Sequence, residues 1–71
     1  MELTLGERIR IHRTRMGMSQ TELARKVGIS KTAMNDIERG KTTDPKWSTV
    51  VGIAEQLALK LETLTEHTNN R

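Results

Sequence analysis

Apolar residues recur at helical spacing along most of the chain. Leu5, Ile9, His12 and Met16 are separated by steps of four, three and four residues, which places them on one face of a helix. Shorter helical stripes follow within residues 20–27 and 31–39, and a longer one begins near Pro45 and runs to Leu57. The leucines at positions 59, 61 and 64 indicate a short fifth helix or turn. The pattern predicts an all-α, compact five-helix domain.

Capping residues and glycines mark where these helices begin and end. Thr4 with Glu7, and Ser19 with Glu22, have the spacing of a capping box, and Ser30 is a third candidate N-cap. Glycines follow the first three predicted helices: Gly17, Gly28 and Gly40. The segment 40–45 combines glycine, proline and polar residues and is therefore predicted to be a loop.

The length of 71 residues predicts one domain, residues 1–64, followed by a polar and frayed tail, residues 65–71. There is no cysteine, no apolar run long enough to span a membrane and no secretory signal, so we expect a cytoplasmic protein. Without Phe or Tyr the core must be aliphatic. We expect the single tryptophan, Trp47, to pack beneath the fourth helix rather than to stack on a base.

Basic charge is concentrated in the first part of the chain. Residues 1–41 contain nine Lys or Arg and five Asp or Glu, a balance of +4, whereas residues 42–71 contain three and four, a balance of −1. A basic half is typical of a protein that binds a polyanion, although a solvated charged face is the simpler interpretation of charge alone.

The stretch 20–39 resembles the helix-turn-helix of the lambdoid phage repressor and Cro family, of XRE type. Small and apolar residues carry the match at several spaced positions: Leu23, Ala24, Val27, Gly28, Ile29, Met34 and Ile37. Ala24 lets two helices approach closely, and Gly28 can adopt the positive φ of a tight turn between helices. The resemblance covers about residues 4–64, including the stretches "GERIR" and "IERGK".

This resemblance implies a transcriptional regulator, most simply a repressor, that binds double-stranded DNA. The third helix would enter the major groove of a two-fold symmetric operator, and two chains would pair as a homodimer that forms on the DNA. No cofactor, metal or small-molecule ligand is expected. The residues implied to contact bases lie on the side of this helix opposite Met34 and Ile37: Lys31, Thr32, Ala33, Asn35 and Asp36.

The chemistry of these side chains suits base edges. Lys31 can donate to guanine, Asn35 can bind adenine through two hydrogen bonds, and Thr32 and Ala33 offer methyl groups to thymine. Asp36 either accepts from cytosine or repels incorrect sites. An ordinary solvated helix face is the alternative for the whole set.

Other residues are expected to bind the DNA backbone, which fixes position rather than sequence. They lie at the start of the second helix, on the first helix and around the loop after the third: Gln20, Arg10, Lys41, Thr42, Thr43 and Lys46. Asp44 departs from the more basic phage proteins, because a cation would be expected there. This acid makes minor-groove approach by the loop doubtful.

Two further expectations concern the dimer interface and an internal ion pair. The surface nearest the dyad of a dimer should be formed by residues after the fourth helix: Leu59, Lys60, Leu61 and Thr63. The resemblance also implies an internal ion pair between Arg13 and Glu38, which would be costly to break if it is buried.

No residue pattern indicates catalysis, so we expect no enzyme. His12 is more simply a partly buried core histidine than a metal ligand, and His67 lies in the tail. Glu62 and Glu66 are interpreted as surface residues one helical turn apart. Two other functions stay open: an antitoxin or other protein-interaction module of this fold, and the DNA-binding fragment of a longer repressor. The chain length favours a complete small Cro-like protein over a fragment.

Overall fold

A computed structural model of the protein describes residues 3–65, which contain five α-helices. The helices are α1 (Leu5–Arg15), α2 (Gln20–Val27), α3 (Lys31–Glu38), α4 (Trp47–Gln56) and α5 (Leu61–Thr65). No strand occurs among the residues described, so the predicted all-α class and the predicted fifth helix are confirmed. Thr65 is the last residue of α5 rather than part of the tail, and the remaining tail residues, 66–71, lie outside the described part.

The first three helices begin at the predicted caps. At α1 the capping box is complete, because the Thr4 backbone N–H donates to Glu7 Oε1 over 2.8 Å and the Glu7 N–H donates to Thr4 Oγ1 over 3.1 Å. Ser19 Oγ accepts from the Glu22 N–H over 3.0 Å, but this is only one half of the predicted box. Ser30 Oγ caps α3 by accepting from the Ala33 N–H over 3.0 Å. Hydroxyl caps therefore set where these helices start.

Four helices end in similar turns, with a glycine at the left-handed position after α1, α2 and α3 and an alanine after α4. After α2, Gly28 has φ +89°, and the Ile29 N–H donates to the Ala24 carbonyl over 3.0 Å. After α4, Ala58 has φ +56°, and the Leu59 N–H donates to the Ala54 carbonyl over 2.9 Å. Glycine is the usual residue at the left-handed position of such turns, so Ala58 holds a conformation that its Cβ disfavours.

The core is aliphatic, as predicted, and lies where α1, α2, α3, α4 and α5 converge. Its members are Ile9, Met18, Leu23, Ala24, Met34, Ile37, Ile53, Ala54, Leu57 and Leu64. Partly buried apolar side chains surround this cluster: Leu5, Val27, Ile29, Leu59 and Leu61. The turn between α2 and α3 is thus fixed by apolar contacts on the side of α3 that faces the other helices.

The prediction that Trp47 packs in the core is wrong, since 63% of it is exposed. Helical periodicity places Trp47 on the same face as Val50 and Ala54, but the buried part of α4 begins only at Val50. The first turn of α4 therefore lies beyond the core. Met16 is likewise 50% exposed at the end of α1, and the neighbouring Met18 is buried in its place.

The backbones of α1 and α3 touch directly at Gly6. A Cβ atom at this position would lie 2.4 Å from the carbonyl oxygens of both Ile37 and Glu38. Only a residue without a side chain allows α1 to pass this close to the end of α3. The contact fixes the position of α3 relative to the first helix.

Candidate nucleic-acid interface

One face of α3 is buried and the other is open to solvent. Met34 is fully buried and Ile37 is 5% exposed. On the other side, Lys31 and Thr32 are exposed. The remaining predicted base-contacting residues on this helix are half-buried: Ala33, Asn35 and Asp36. The structure therefore brings all five predicted residues together on one short helix, with Lys31 and Thr32 in its first turn.

This exposed face lies between two flanking elements. On one side, a shallow depression is lined by Gln20 from the start of α2 together with Lys31, Thr32 and Asn35. On the other side, a second depression joins Ala33 to the loop that precedes α4, through Thr42, Pro45 and Lys46. Residues predicted to contact phosphates thus flank those predicted to contact bases on both sides.

The loop after α3 is attached to the helix by its backbone. The N–H groups of Lys41 and Thr42 both donate to the Asp36 carbonyl, over 2.9 and 3.1 Å. The side chains of Lys41, Thr42, Thr43, Asp44 and Lys46 are exposed. The loop therefore presents two lysines and two threonines beside α3, with the acidic Asp44 among them.

A cleft at the junction of α1 and α3 contains two exposed cations, of which Arg10 was predicted from the sequence and Arg39 was not. Arg10 is exposed and lines this cleft together with Asn35 and with Arg39, the exposed C-cap residue that follows α3. The basic charge of the stretch "IERGK" was the available signal for Arg39. The two exposed arginines lie at the end of α3 in a cleft that also contains the exposed Glu7.

Arg13 and Glu38 form the ion pair that the resemblance implied. Arg13 Nε donates to Glu38 Oε2 over 2.8 Å, and Arg13 Nη2 donates to Glu38 Oε1 over 3.0 Å. The two side chains are only 14% and 3% exposed. Arg13 Nη1 also donates to the Met18 carbonyl over 2.8 Å, so the guanidinium joins α1, the α1–α2 turn and α3.

We expected the side chain of Gln20 to face a phosphate, but in the structure this half-buried amide is hydrogen-bonded to other side chains of the domain. Its Nε2 donates to Glu38 Oε1 over 3.1 Å and to Asn35 Oδ1 over 3.2 Å. Both amide N–H groups are therefore used by neighbouring side chains. The backbone N–H of Gln20 still lies in the first turn of α2, where N–H groups lack partners within the helix.

The predicted dimer residues lie in the segment after α4 and in α5. Leu59 and Leu61 are half-buried against the core, and Lys60 is exposed. The backbone carbonyl of the half-buried Thr63 accepts from Arg8 Nη1 over 3.1 Å, which ties α5 to α1. This end of the domain is distinct from the exposed face of α3.

His12 is half-buried on α1. Within residues 3–65, no three His, Asp or Glu side chains cluster as a metal site. In the same range no helix has the length and apolar character to cross a membrane.

These features define a helix-turn-helix protein. The family model described as a helix-turn-helix domain matches residues 4–67, so the chain belongs to this family. The resemblance to the phage repressors is confirmed by a solved structure of the P22 c2 repressor with a synthetic operator. That structure is 29% identical, with a TM-score of 0.81 over 87% of this chain and 92% of the other.

The chain is also similar to the HTH-type transcriptional regulator SinR of Bacillus subtilis, with 32% identity over 62 residues. This match covers 87% of the chain but 56% of the relative, so the chain spans about half the length of that regulator. The crystal structure of SinR in complex with DNA has a TM-score of 0.83, over 87% of this chain and 98% of that chain.

Proposed function

We propose that this protein is a sequence-specific transcriptional regulator that binds double-stranded DNA through the exposed face of α3. The observation that carries the proposal is the position of that face between the start of α2 and the loop 41–46. A major groove admits one α-helix, and the flanking elements would then meet the sugar–phosphate backbones on either side. Two similar proteins, SinR and the P22 c2 repressor, have structures in complex with DNA, which supports this assignment.

Sequence preference would come from Lys31, Thr32, Ala33, Asn35 and Asp36. Lys31 and Thr32 are the most accessible of the five, because they lie in the first turn of α3 and are exposed. Asn35 and Asp36 lie one turn later and are half-buried, so they reach a base only if the helix end is deeply inserted. The N-terminal end of α3 therefore makes the deepest contacts with the groove.

Affinity without sequence preference would come from the residues at the flanks. Lys41, Thr42, Thr43 and Lys46 can donate to phosphates from the loop, and Arg10 can do so from α1. Arg39 joins this group because it lines the same cleft as Arg10. At Gln20 the backbone N–H is the group offered to a phosphate, since the side-chain N–H groups have internal partners.

A homodimer would supply the second recognition helix. One helix contacts only a few base pairs, whereas two helices spaced by about 34 Å contact two half-sites on one face of the duplex. Leu59, Lys60, Leu61 and Thr63 are the proposed contact residues between the two chains. The half-burial of Leu59 and Leu61 leaves a small apolar surface for this contact, which favours pairing on DNA over a stable free dimer.

The decisive experiment is selection of bound duplexes from a random DNA library, followed by sedimentation of the protein with the selected duplex. We expect a two-fold symmetric motif and two chains per site. Lys31→Ala with Thr32→Ala serves as the control variant, since it removes exposed side chains from α3 without touching the core. A protein-interaction module that does not bind DNA would return no motif, and a one-to-one complex at saturation would contradict the dimer.

A further inference from the structure

Four polar side chains form a continuous hydrogen-bonded series from the interior to the exposed face of α3. We call this series the polar relay, and it consists of Arg13, Glu38, Gln20 and Asn35. Arg13 binds both carboxylate oxygens of Glu38 over 2.8 and 3.0 Å. Gln20 Nε2 then lies 3.1 Å from Glu38 Oε1 and 3.2 Å from Asn35 Oδ1. The relay is the only such link between the buried ion pair and a groove-facing residue within the part of the chain that the structure describes.

The chemistry of the relay determines which way each amide is turned. A guanidinium only donates hydrogen bonds, and an ionised carboxylate only accepts them. The group of Gln20 next to Glu38 must therefore be the NH2 group. The second N–H of that group donates to Asn35, so the Asn35 atom that faces it must be the carbonyl oxygen. The Asn35 NH2 group is left on the side away from Gln20.

Burial makes the opposite arrangement costly. The Glu38 side chain is only 3% exposed, and Gln20 and Asn35 are both half-buried. Turning the Gln20 amide around would place its carbonyl oxygen against the carboxylate, at a site where little water can screen the repulsion. Turning the Asn35 amide around would place one NH2 group against another.

We propose that Gln20 is a positioning residue that holds Asn35 as a hydrogen-bond donor toward DNA. This inference rests on the proposed function and deepens it. A donor suits purine N7, guanine O6 or thymine O4, whereas cytosine presents only the N4 donor in the major groove. Asn35 therefore excludes cytosine at the base that it contacts. Two hydrogen bonds to adenine would need the Asn35 carbonyl oxygen, which already accepts from Gln20. Exclusion of cytosine therefore replaces the sequence-based expectation that Asn35 selects adenine.

The test compares the parent with Gln20→Met, Asn35→Ala and the double variant, by selection from the random library and by affinity for single-base variants of the selected site. Methionine has a similar length but neither donates nor accepts strongly, so it frees the Asn35 amide to turn. We expect the parent to disfavour cytosine at one position of each half-site on the order of tenfold. Gln20→Met should reduce this discrimination to about twofold or less, because a freed Asn35 can accept from cytosine N4.

The double variant separates positioning from direct contact. If Gln20 acts through Asn35, Gln20→Met has no further effect on preference at that position once Asn35 is alanine. Thr32→Ala is the matched control, because it should change preference at another base pair and leave the exclusion of cytosine intact. Gln20→Ala should reproduce the relaxation seen with Gln20→Met, and thermal melts of both variants establish that they are folded.

The outcomes distinguish this inference from the proposed function. A parent protein that selects no motif overturns both. A parent that selects a motif, with cytosine discrimination equally strong in Gln20→Met and Gln20→Ala, overturns only the positioning role. A third outcome is that Gln20→Met lowers the affinity for all sequences equally, and does so to the same extent in the parent and in Asn35→Ala. That result would show that Gln20 contacts phosphate and does not position Asn35.

Discussion

The region formed by α1, α2 and α3 is held together differently from the region formed by α4 and α5. Among the residues described, every hydrogen bond between two side chains joins α1, α2 and α3, and all of them belong to the polar relay. The buried residues of α4 and α5, by contrast, are aliphatic: Val50, Ile53, Ala54 and Leu64. Both regions share one apolar core, but only the first contains a buried ion pair.

This difference separates stability from recognition. Aliphatic packing tolerates rearrangement as long as volume is kept, whereas a buried polar network requires each partner at the correct distance and angle. The relay ends at Asn35 on the proposed DNA-binding face. Changes in the relay should therefore alter both folding and base preference, whereas changes to the buried aliphatic residues of α4 and α5 should alter folding alone.

The largest expected effect comes from breaking the ion pair. Glu38→Gln and Arg13→Met each leave one buried charge without its partner, which should lower the free energy of unfolding by about 3–5 kcal/mol. This is a large part of the stability of so small a domain. Thermal and urea melts measure it, with Glu55→Gln as the control at an exposed glutamate of α4. If both ion-pair variants melt like that control, the pair contributes no more than a surface pair.

Filling the contact between α1 and α3 should be the next most damaging change. In Gly6→Ala the new Cβ would lie 2.4 Å from two backbone carbonyl oxygens, so the helices must separate. We expect a loss of about 1–3 kcal/mol or more. Gly52→Ala in α4 is the matched control, because its nearest neighbour is a Val27 methyl at 3.4 Å and alanine favours a helix. A similar melting temperature for the two variants would contradict the close approach.

Binding variants compare the centre of the interface with its flank. Asn35→Ala should cost about 1–3 kcal/mol on the selected site and relax the discrimination against cytosine at the base that Asn35 contacts. Lys41→Ala should weaken all sequences alike and reduce the slope of log K against log salt by about one per chain, or two per dimer. Salt titrations on the selected and a scrambled site measure both effects. The assigned face is wrong if Asn35→Ala lowers both affinities equally, or if Lys41→Ala leaves the slope unchanged.

Two helix ends should respond in opposite directions. Ala58→Gly relieves a left-handed alanine at the end of α4 and should stabilise the domain by about 0.5–1 kcal/mol, after the entropic cost of glycine. Gly28→Ala creates the same strain at the end of α2 and should destabilise it by about 1 kcal/mol. Urea melts of the two variants check the signs. Destabilisation by Ala58→Gly would show that the alanine methyl makes a contact worth more than the strain.

The smallest effect is expected at Trp47. Because 63% of this residue is exposed, Trp47→Ala should change stability by less than about 1 kcal/mol. A buried tryptophan would cost about 3–5 kcal/mol. Its fluorescence is a clean probe, since the chain contains no other tryptophan and no tyrosine. A blue-shifted emission that moves to the red on unfolding would contradict the exposed position.

The helices, their hydroxyl caps and the helix-turn-helix order follow from the sequence by itself. These features depend on contacts between residues a few positions apart, such as Thr4 with Glu7 and Ser30 with Ala33. The spacing of apolar residues on α3 likewise determines which of its side chains face outward. Local patterns therefore predicted most of the fold and which side of α3 is buried, and left contact of its other side with bases as a proposal.

Only the tertiary structure determined how the helices meet. Periodicity assigned Trp47 to the buried face, but whether a neighbour covers the first turn of α4 depends on where the core ends. No local pattern shows that Gly6 touches the end of α3, or that Gln20 turns inward to Asn35 and Glu38, which are 15 and 18 positions away. Such contacts depend on the packing of helices distant in sequence, because the same amide could bind a phosphate or a buried carboxylate until its neighbours are in place.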